Sequence, residues 1–239
     1  MNPKVSIIIP FFNCQYVNQA IESALNQTYQ NIEVIVVNDG SPQYVEKVKA
    51  YINSNSKFRY VEKGNGGTAS ALNLGIRNMQ GEYFAWLSSD DLFMKDKIEK
   101  QLYFMEANGF KFSYTNYSII NERGVIIKER AGVIHPSRKA LIGQLLKGCS
   151  INGCTVMMSR EVINRIGLFD ESLVCAQDYD YWLRAIQHNP FGSLNEPLTL
   201  YRVHSQMGSR TKHERQKREA DYIVRKYSQT LRRMFISEK

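Results

Sequence analysis

The sequence predicts an α/β fold: a mostly parallel central sheet flanked by helices, with a smaller antiparallel element in the second half. Three observations predict it. Short apolar runs, Val5 to Ile9, Ile32 to Val37 and Tyr83 to Leu87, end in Pro10, in Asn38-Asp39-Gly40-Ser41-Pro42 and in Ser88-Ser89-Asp90-Asp91. Unbroken runs of this length suit strands buried on both faces, and the residues that close them are turn formers. Helical spacing lies between them, at Tyr16, Val17, Ala20, Ile21, Ala24 and Leu25 and again from Ala69 to Ile76, so helical crossovers join strands that run parallel. After about Asn108 the alternation changes, and Phe112 to Ile120, Asn121-Glu122-Arg123-Gly124 and Val125 to Lys128 read as an antiparallel hairpin.

Taken in order, Lys4 to Ile9 suits a central strand because it is β-branched almost throughout. The second strand leaves Asp39 at its carboxyl end, the edge at which open α/β sheets hold ligands. A helix from about Tyr44 to Ile52 and a strand Phe58 to Glu62 lead to Gly64-Asn65-Gly66-Gly67-Thr68. That glycine-rich turn enters a helix, so it can offer N–H groups to a phosphate, or it can be a tight turn with a small-residue helix packed close to the sheet. It has neither the Walker A nor the GxGxxG spacing.

Tyr83 to Leu87 delivers Asp90 and Asp91 to the same edge. Two adjacent carboxylates repel unless a cation neutralises them, which points to a divalent metal. Equally, either could cap the helix that starts near Lys95. Ile98, Leu102 and Met105 mark that helix. A helix over Leu141 to Leu146, a strand Thr155 to Met158 and a helix Arg160 to Ile166 follow the hairpin. Asp178 stands where the next helix begins, as an N-cap or as a chemical group; Asp180 and Arg184 have i,i+4 spacing and support the helix. Leu198 to His204 reads as a strand ending in a histidine, which is structural or belongs to a site.

Composition narrows the function. The 239 residues are 43% hydrophobic, enough for one substantial core. No apolar run nears the roughly 20 residues that span a bilayer, and Val5 to Phe12 lacks the leader and cleavage site of a signal peptide, so a cytoplasmic protein is expected. Cys14, Cys149, Cys154 and Cys175 have neither CxxC nor disulfide-framework spacing and read as free thiols. Of the +8 formal charge, +5 lies between Thr211 and Lys239, where nine Lys or Arg face four acids. With no nucleic-acid module in the chain, this tail points to an anionic membrane surface or a partner, and nucleic acid is not expected. Ala220, Ile223, Val224, Tyr227, Leu231 and Met234 recur near helical spacing, so the tail forms an amphipathic helix that packs on the domain or lies on a membrane. The expected organisation is one catalytic-sized domain over 1–208 followed by a basic helical tail 209–239.

The ordered set VSIIIPFFN (Val5 to Asn13), EVIVVNDGS (Glu33 to Ser41), GGTASALNLGI (Gly66 to Ile76), FAWLSSDD (Phe84 to Asp91), RIGLFDE (Arg165 to Glu171), DYDYWLR (Asp178 to Arg184) and YRVH (Tyr201 to His204) resembles glycosyltransferase family 2. These are inverting enzymes with the A-type glycosyltransferase fold, the nucleotide-diphospho-sugar transferase fold. The resemblance covers about residues 4 to 208 and implies a catalytic domain over 1–208, with a nucleotide-binding half 1–91 and an acceptor-binding half 92–208. It implies a nucleotide-sugar site in which Asp39 binds the base and Pro10 and Phe12 shape its pocket. It implies that Asp91 holds Mg²⁺ or Mn²⁺ against the diphosphate, that Asp90 contacts the ribose or assists the metal, and that His204 touches metal or diphosphate. Asp178 matches the general base beside the acceptor. Ser88 stands where many members carry a further Asp, which implies an ion recruited with the diphosphate. The QxxRW motif and transmembrane helices of the processive synthases do not appear, which favours the bacterial non-processive type and addition of a single sugar.

The implied reaction moves one sugar from a UDP-sugar, or less favourably a dTDP- or GDP-sugar, to a glycan or lipid-linked acceptor in cell-surface polysaccharide or glycoconjugate synthesis, with the protein cytoplasmic or peripheral at the inner face of the membrane. N–H groups around Gly66 and Gly67 would stabilise the departing diphosphate. Two rivals stand beside it. A nucleotidyltransferase needs a basic, glycine-rich loop after the first strand, which Pro10-Phe11-Phe12-Asn13 is not. A sugar-nucleotide-binding module without transfer activity has no need of Asp39, Asp91 and Asp178 together.

Overall fold

A computed structural model describes residues 2–238. The first half alternates strand and helix: β1 (Val5–Phe11), α1 (Val17–Leu25), β2 (Ile32–Asp39), α2 (Val45–Lys49), β3 (Phe58–Lys63), α3 (Gly67–Asn78) and β4 (Tyr83–Trp86). The second half comprises β5 (Leu92–Phe93), α4 (Lys97–Asn108), β6 (Phe112–Ile120), β7 (Ile126–Lys128), α5 (Arg138–Leu145), β8 (Val156–Ser159), α6 (Arg160–Ile166), α7 (Gln177–Ile186), β9 (Phe191–Arg202), α8 (Gly208–Thr211) and α9 (His213–Ser237). All strands join one sheet in the order β3-β2-β1-β4-β8-β6-β9-β5, with β7 paired to β6.

Strand direction sets the position of the site. β3, β2, β1 and β4 are parallel. β8 is antiparallel to both β4 and β6, so β6 runs the same way as β4, and β9 is parallel to β6. The carboxyl ends of β1, β2, β4, β6 and β9 therefore share one edge. Alternate residues of β1 and β2 feed opposite layers: Ile8, Ile35 and Val37 enter one core, and Ile7, Ile9, Val34 and Val36 the other. This double burial is the reason these strands are continuous apolar runs. Helix α3 lies close against β1, since a Cβ on Gly75 would stand 2.4 Å from Ile8 Cγ2; a larger residue there would push the helix off the sheet.

The α/β sheet with an antiparallel portion is as expected from sequence, with shifted boundaries. β9 begins at Phe191, well before Leu198, and the two-residue β5 has no counterpart in the sequence reading. α4 begins at Lys97 after Asp96, so neither Asp90 nor Asp91 caps it.

Of the two readings of the basic tail, packing on the domain is what α9 does. Ile223 and Leu231 are fully buried and join the core of α5 and α7. Tyr227 Oη and Lys226 Nζ donate to Asp180 Oδ1 at 2.8 and 3.1 Å, while Arg184 Nε holds Asp180 Oδ2 at 2.8 Å. The Glu219 carboxylate accepts the backbone N–H groups of Val174, Cys175 and Ala176 at 3.2, 2.8 and 3.1 Å, just before α7. Arg138 of α5 pairs with Glu238. Among the described residues no helix is long and apolar enough to cross a membrane.

Because Leu231 fills space in the core, Leu231→Ala should destabilise the protein by about 2–5 kcal/mol in urea unfolding. A loss below about 0.5 kcal/mol would mean that α9 is dispensable to the core.

Candidate active site

A cavity of about 720 Å³ opens at the shared carboxyl edge. Pro10 at the end of β1 and Phe12 just after it, Asp39 at the end of β2, Trp86 of β4, Asp90, and His204 beyond β9 all line it. The strands are connected so that four strand ends distant in sequence meet at one place. Phe12 is 49% exposed, a ring held at the rim and free to stack on a flat ligand.

Asp39 is 3% exposed and already engaged. Its Oδ1 accepts from Gly66 N at 2.9 Å and from Lys63 Nζ at 2.8 Å, and its Oδ2 accepts from Gly67 N at 2.7 Å. A strand-end carboxylate facing the start of α3 meets the unpaired N–H groups and positive dipole of that helix, and so caps it from outside its own chain segment. The expected use of the Gly66 and Gly67 N–H groups as phosphate donors is not what this geometry offers, because both are directed at Asp39. Thr68 and Ala71 of α3 reach the cavity instead. Gly40 lets the two turns approach: its φ is +72°, and a Cβ there would lie 2.7 Å from Asn65 N.

The two adjacent acids part company. Asp90 lines the cavity, and its Oδ2 is 3.0 Å from His204 Nε2, with side-chain exposures of 27% and 12%. The His204 ring meets Tyr16 edge-on at 5.5 Å between centroids. Asp91 is 1% exposed, and its Oδ1 accepts from the backbone N–H of Arg202 at 2.8 Å. Burial, reinforced by the charge of Asp90, holds the Asp91 carboxyl well above the usual carboxylate range, with the Arg202 N–H pulling the other way. The structure therefore brings Asp90 and His204, not Asp91, to the cavity wall. The cause is the turn between β4 and β5, which directs Ser88, Ser89 and Asp90 to the cavity and folds Asp91 back onto the Arg202 backbone.

Arg202 is the functional residue that sequence reasoning passed over. It is 1% exposed. Nε donates to Asp90 O at 2.8 Å, Nη1 to the carbonyls of Asn121 and Glu122 at 3.2 and 3.1 Å, and Nη2 to Gln19 Oε1 at 2.8 Å. The guanidinium also lies 4.3 Å from the Tyr16 ring centroid. Its signal in the sequence is the charged residue two positions before the histidine in Tyr201-Arg202-Val203-His204, at the end of a strand. Ser88 also faces the cavity, bonded through its hydroxyl to Cys154 Sγ at 3.1 Å. Cys14 lines the cavity with its thiol directed to Ser89 O at 3.2 Å, and burial pushes that thiol up to about 11.

Asp178 lies in the first turn of α7, one residue beyond its start, and its Oδ1 accepts from Tyr179 N at 2.8 Å. It is not the N-cap, which is Ala176. Its neighbour Gln177, not Asp178, borders the 720 Å³ cavity. Burial pushes the Asp178 carboxyl up to about 6, against the lowering effect of backbone N–H groups. A carboxyl of that pKa near a cavity is suited to proton transfer at neutral pH.

Asp90 and His204 offer one carboxylate oxygen and one imidazole nitrogen at the same point, a donor set that suits Mn²⁺ and accommodates Mg²⁺. Among the described residues no group of three or more His, Cys, Asp or Glu could hold an ion by itself. An ion held by this pair would need its remaining oxygen ligands from elsewhere.

The model of the family described as "Glycosyl transferase family 2" matches residues 6–167. An uncharacterized glycosyltransferase of Rickettsia felis is 41% identical over 214 residues, which is 87% of this chain and 35% of the relative. This chain thus spans about a third of that relative's length. An Escherichia coli protein, UDP-Glc:alpha-D-GlcNAc-diphosphoundecaprenol beta-1,3-glucosyltransferase WfgD, is 31% identical over 223 residues, 92% of this chain and 85% of the relative. Among solved structures, S. aureus TarS 1-349 in complex with UDP-GlcNAc superposes with a TM-score of 0.71 at 21% identity, over 85% of this chain and 60% of that one.

Removing the Asp39 charge should loosen the turn that it caps. Asp39→Asn is expected to lower stability by about 1–3 kcal/mol in urea and to speed amide exchange at Gly66 and Gly67. Unchanged protection at those two amides would show that Asp39 does not hold the turn.

Proposed function

The chain belongs to glycosyltransferase family 2, and on that footing we propose that it moves one sugar from a UDP-sugar to a hydroxyl of a glycan or lipid-linked acceptor, with inversion at the anomeric carbon. The observation that carries this reading is the meeting of Asp39, Asp90 and His204 on one cavity wall, from three strand ends. The cavity volume, about 720 Å³, suits a nucleotide sugar. The UDP-glucose donor and diphosphoundecaprenol acceptor named for the E. coli relative support the UDP-sugar and the lipid-linked acceptor. In this reading the product is built into a cell-surface polysaccharide or glycoconjugate.

In this mechanism Asp39 receives the N–H of the base, with Pro10 and the exposed Phe12 ring bounding the base. The Asp39 carboxylate then shares its oxygens between the ligand and the start of α3. Asp90 and His204 would hold Mg²⁺ or Mn²⁺, so that the role expected of Asp91 would pass to its neighbour. The ion, when bound, neutralises the charge that grows on the leaving diphosphate. Asp91, buried against the Arg202 backbone, keeps the turn in position so that Asp90 faces the cavity. Asp178 accepts the proton of the acceptor hydroxyl as that oxygen attacks opposite the leaving group. Attack from that side inverts the anomeric centre.

The outward face of α9 supports a peripheral attachment at the cytoplasmic side of an anionic membrane. Arg218, Arg225, Arg232 and Arg233 are exposed there with Tyr222 and Ile236, and basic residues near an anionic surface each contribute about 1 kcal/mol.

For the reaction, Asp90→Asn and His204→Ala should each reduce metal-dependent donor hydrolysis by at least about a hundredfold; full activity in both would remove the ion from this pair. Asp178 must be ionised to act, so kcat/KM should fall as pH drops below about 6. Asp178→Asn should lose about 10²–10⁴ in transfer while binding UDP as the wild type does by calorimetry; joint loss of both would make Asp178 structural. Reversing Arg225, Arg232 and Arg233 to Glu should abolish salt-sensitive binding to phosphatidylglycerol vesicles, and unaltered binding would exclude α9 as the contact.

A further inference from the structure

The hairpin formed by β6 and β7 rises from the same sheet edge as the cavity, and its apolar residues are uncovered. Val125, Ile126 and Ile127 are 58%, 46% and 57% exposed. Neighbouring residues of a strand point to opposite faces, so exposure of both Ile126 and Ile127 means that neither face of β7 is covered. Its outer edge is bare too, since among the described residues β7 pairs with β6 alone. A bare edge with apolar side chains on both faces is a liability in water unless something covers it.

This exposure is built into the fold. Gly124, at φ +82°, closes the turn; Gly124 N donates to Asn121 O at 3.0 Å, Val125 N to Asn121 Oδ1 at 3.1 Å, and Asn121 N to Val125 O at 2.9 Å. The buried Arg202 holds the carbonyls of Asn121 and Glu122. The turn of the hairpin also opens on the site: Asn121, Glu122, Arg123, Val203 and His204 line a groove of about 370 Å³, and His204 lines the main cavity as well. Arg123, Lys128 and Arg130 are exposed around the three aliphatic residues, together with Glu122 and Glu129.

We infer that this hairpin is a membrane-docking element: Val125, Ile126 and Ile127 enter the interface of an anionic bilayer, Arg123, Lys128 and Arg130 meet its headgroups, and the His204 groove then opens toward a lipid-borne acceptor. A second copy of the chain is the poorer occupant, because a three-residue strand offers far less than the roughly 1,000 Å² of a stable interface. The inference rests on the lipid-linked acceptor reading, and it adds the surface by which the site reaches that acceptor. It differs from the attachment through α9 in kind: α9 supplies charge that salt screens, while three aliphatic side chains supply burial that salt does not weaken.

The test uses the whole chain and vesicles of phosphatidylethanolamine and phosphatidylglycerol in a flotation assay, at low and at high salt. Val125→Ser/Ile126→Ser/Ile127→Ser should bind more than about tenfold more weakly, the loss expected when three aliphatic side chains give up transfer into lipid. The defect should persist at high salt, with donor hydrolysis and UDP affinity unchanged. A second variant, Ile127→Trp, should bind at least as well as the wild type, because indole favours the membrane interface. Equal binding by the serine variant and the wild type overturns the proposal, as does a concentration-dependent dimer in sedimentation that the serine variant abolishes. Wild-type protein that binds vesicles yet neither hydrolyses donor nor binds UDP would sink the transferase reading and leave the docking surface standing.

Discussion

A buried arginine holds the site together. The Arg202 guanidinium reaches Gln19 of α1, the Asp90 carbonyl and two carbonyls of the hairpin turn, while its own backbone N–H is bound by Asp91. Every partner of its side-chain N–H groups is a neutral oxygen, so the positive charge is solvated by dipoles and not cancelled by direct pairing. An arginine can be buried in this way because its planar fork matches several carbonyls at once. The nearby Asp91 carboxylate gains from the positive charge and from the backbone N–H, yet burial remains the larger effect on it. The result is a turn whose two acids have fixed and different surroundings.

That division explains how one dipeptide supplies both a cavity wall and a support. Asp90 keeps its carboxylate toward the cavity and beside His204, and Asp91 turns inward. Asp39 works by a related principle at the other strand end. It satisfies the N–H groups at the start of α3 and Lys63 while remaining on the cavity wall. In both places a carboxylate at the edge of the sheet is held by backbone donors, so its orientation depends on the main chain.

Much of the fold was legible because its information is local. The runs at β1, β2 and β4 are continuous since both of their faces are covered, and the residues that end them are the ones that line the cavity. β9 was half hidden: Gly192, Asn195, Glu196 and Pro197 interrupt its pattern, and its register against β6 shifts around Asn116. Gly192 is needed there because a Cβ would approach the Phe110 and Phe104 rings to 2.6 and 2.8 Å. The choice between Asp90 and Asp91 was not legible, since adjacent residues of one type differ only by which way the folded turn directs them. The Gly66-Gly67 turn misled for a related reason: a sequence reveals available N–H groups but not the carboxylate, 27 and 28 positions away, that takes them. For the basic tail the periodicity was correct, and only the burial of Ile223 and Leu231 distinguishes packing from an isolated amphipathic helix.

The three N–H groups that Glu219 binds before α7 have a consequence in time. Val174, Cys175 and Ala176 find their acceptor some 43 to 45 residues later in the chain. On the ribosome, the sheet edge with Asp39 and Asp90 can assemble while the segment ahead of Asp178 still lacks its partner, since chains emerge from the amino end first. The strand-end wall of the cavity therefore matures before the segment that carries Asp178. A chain halted within α9 would present that wall nearly complete beside an unfastened Asp178.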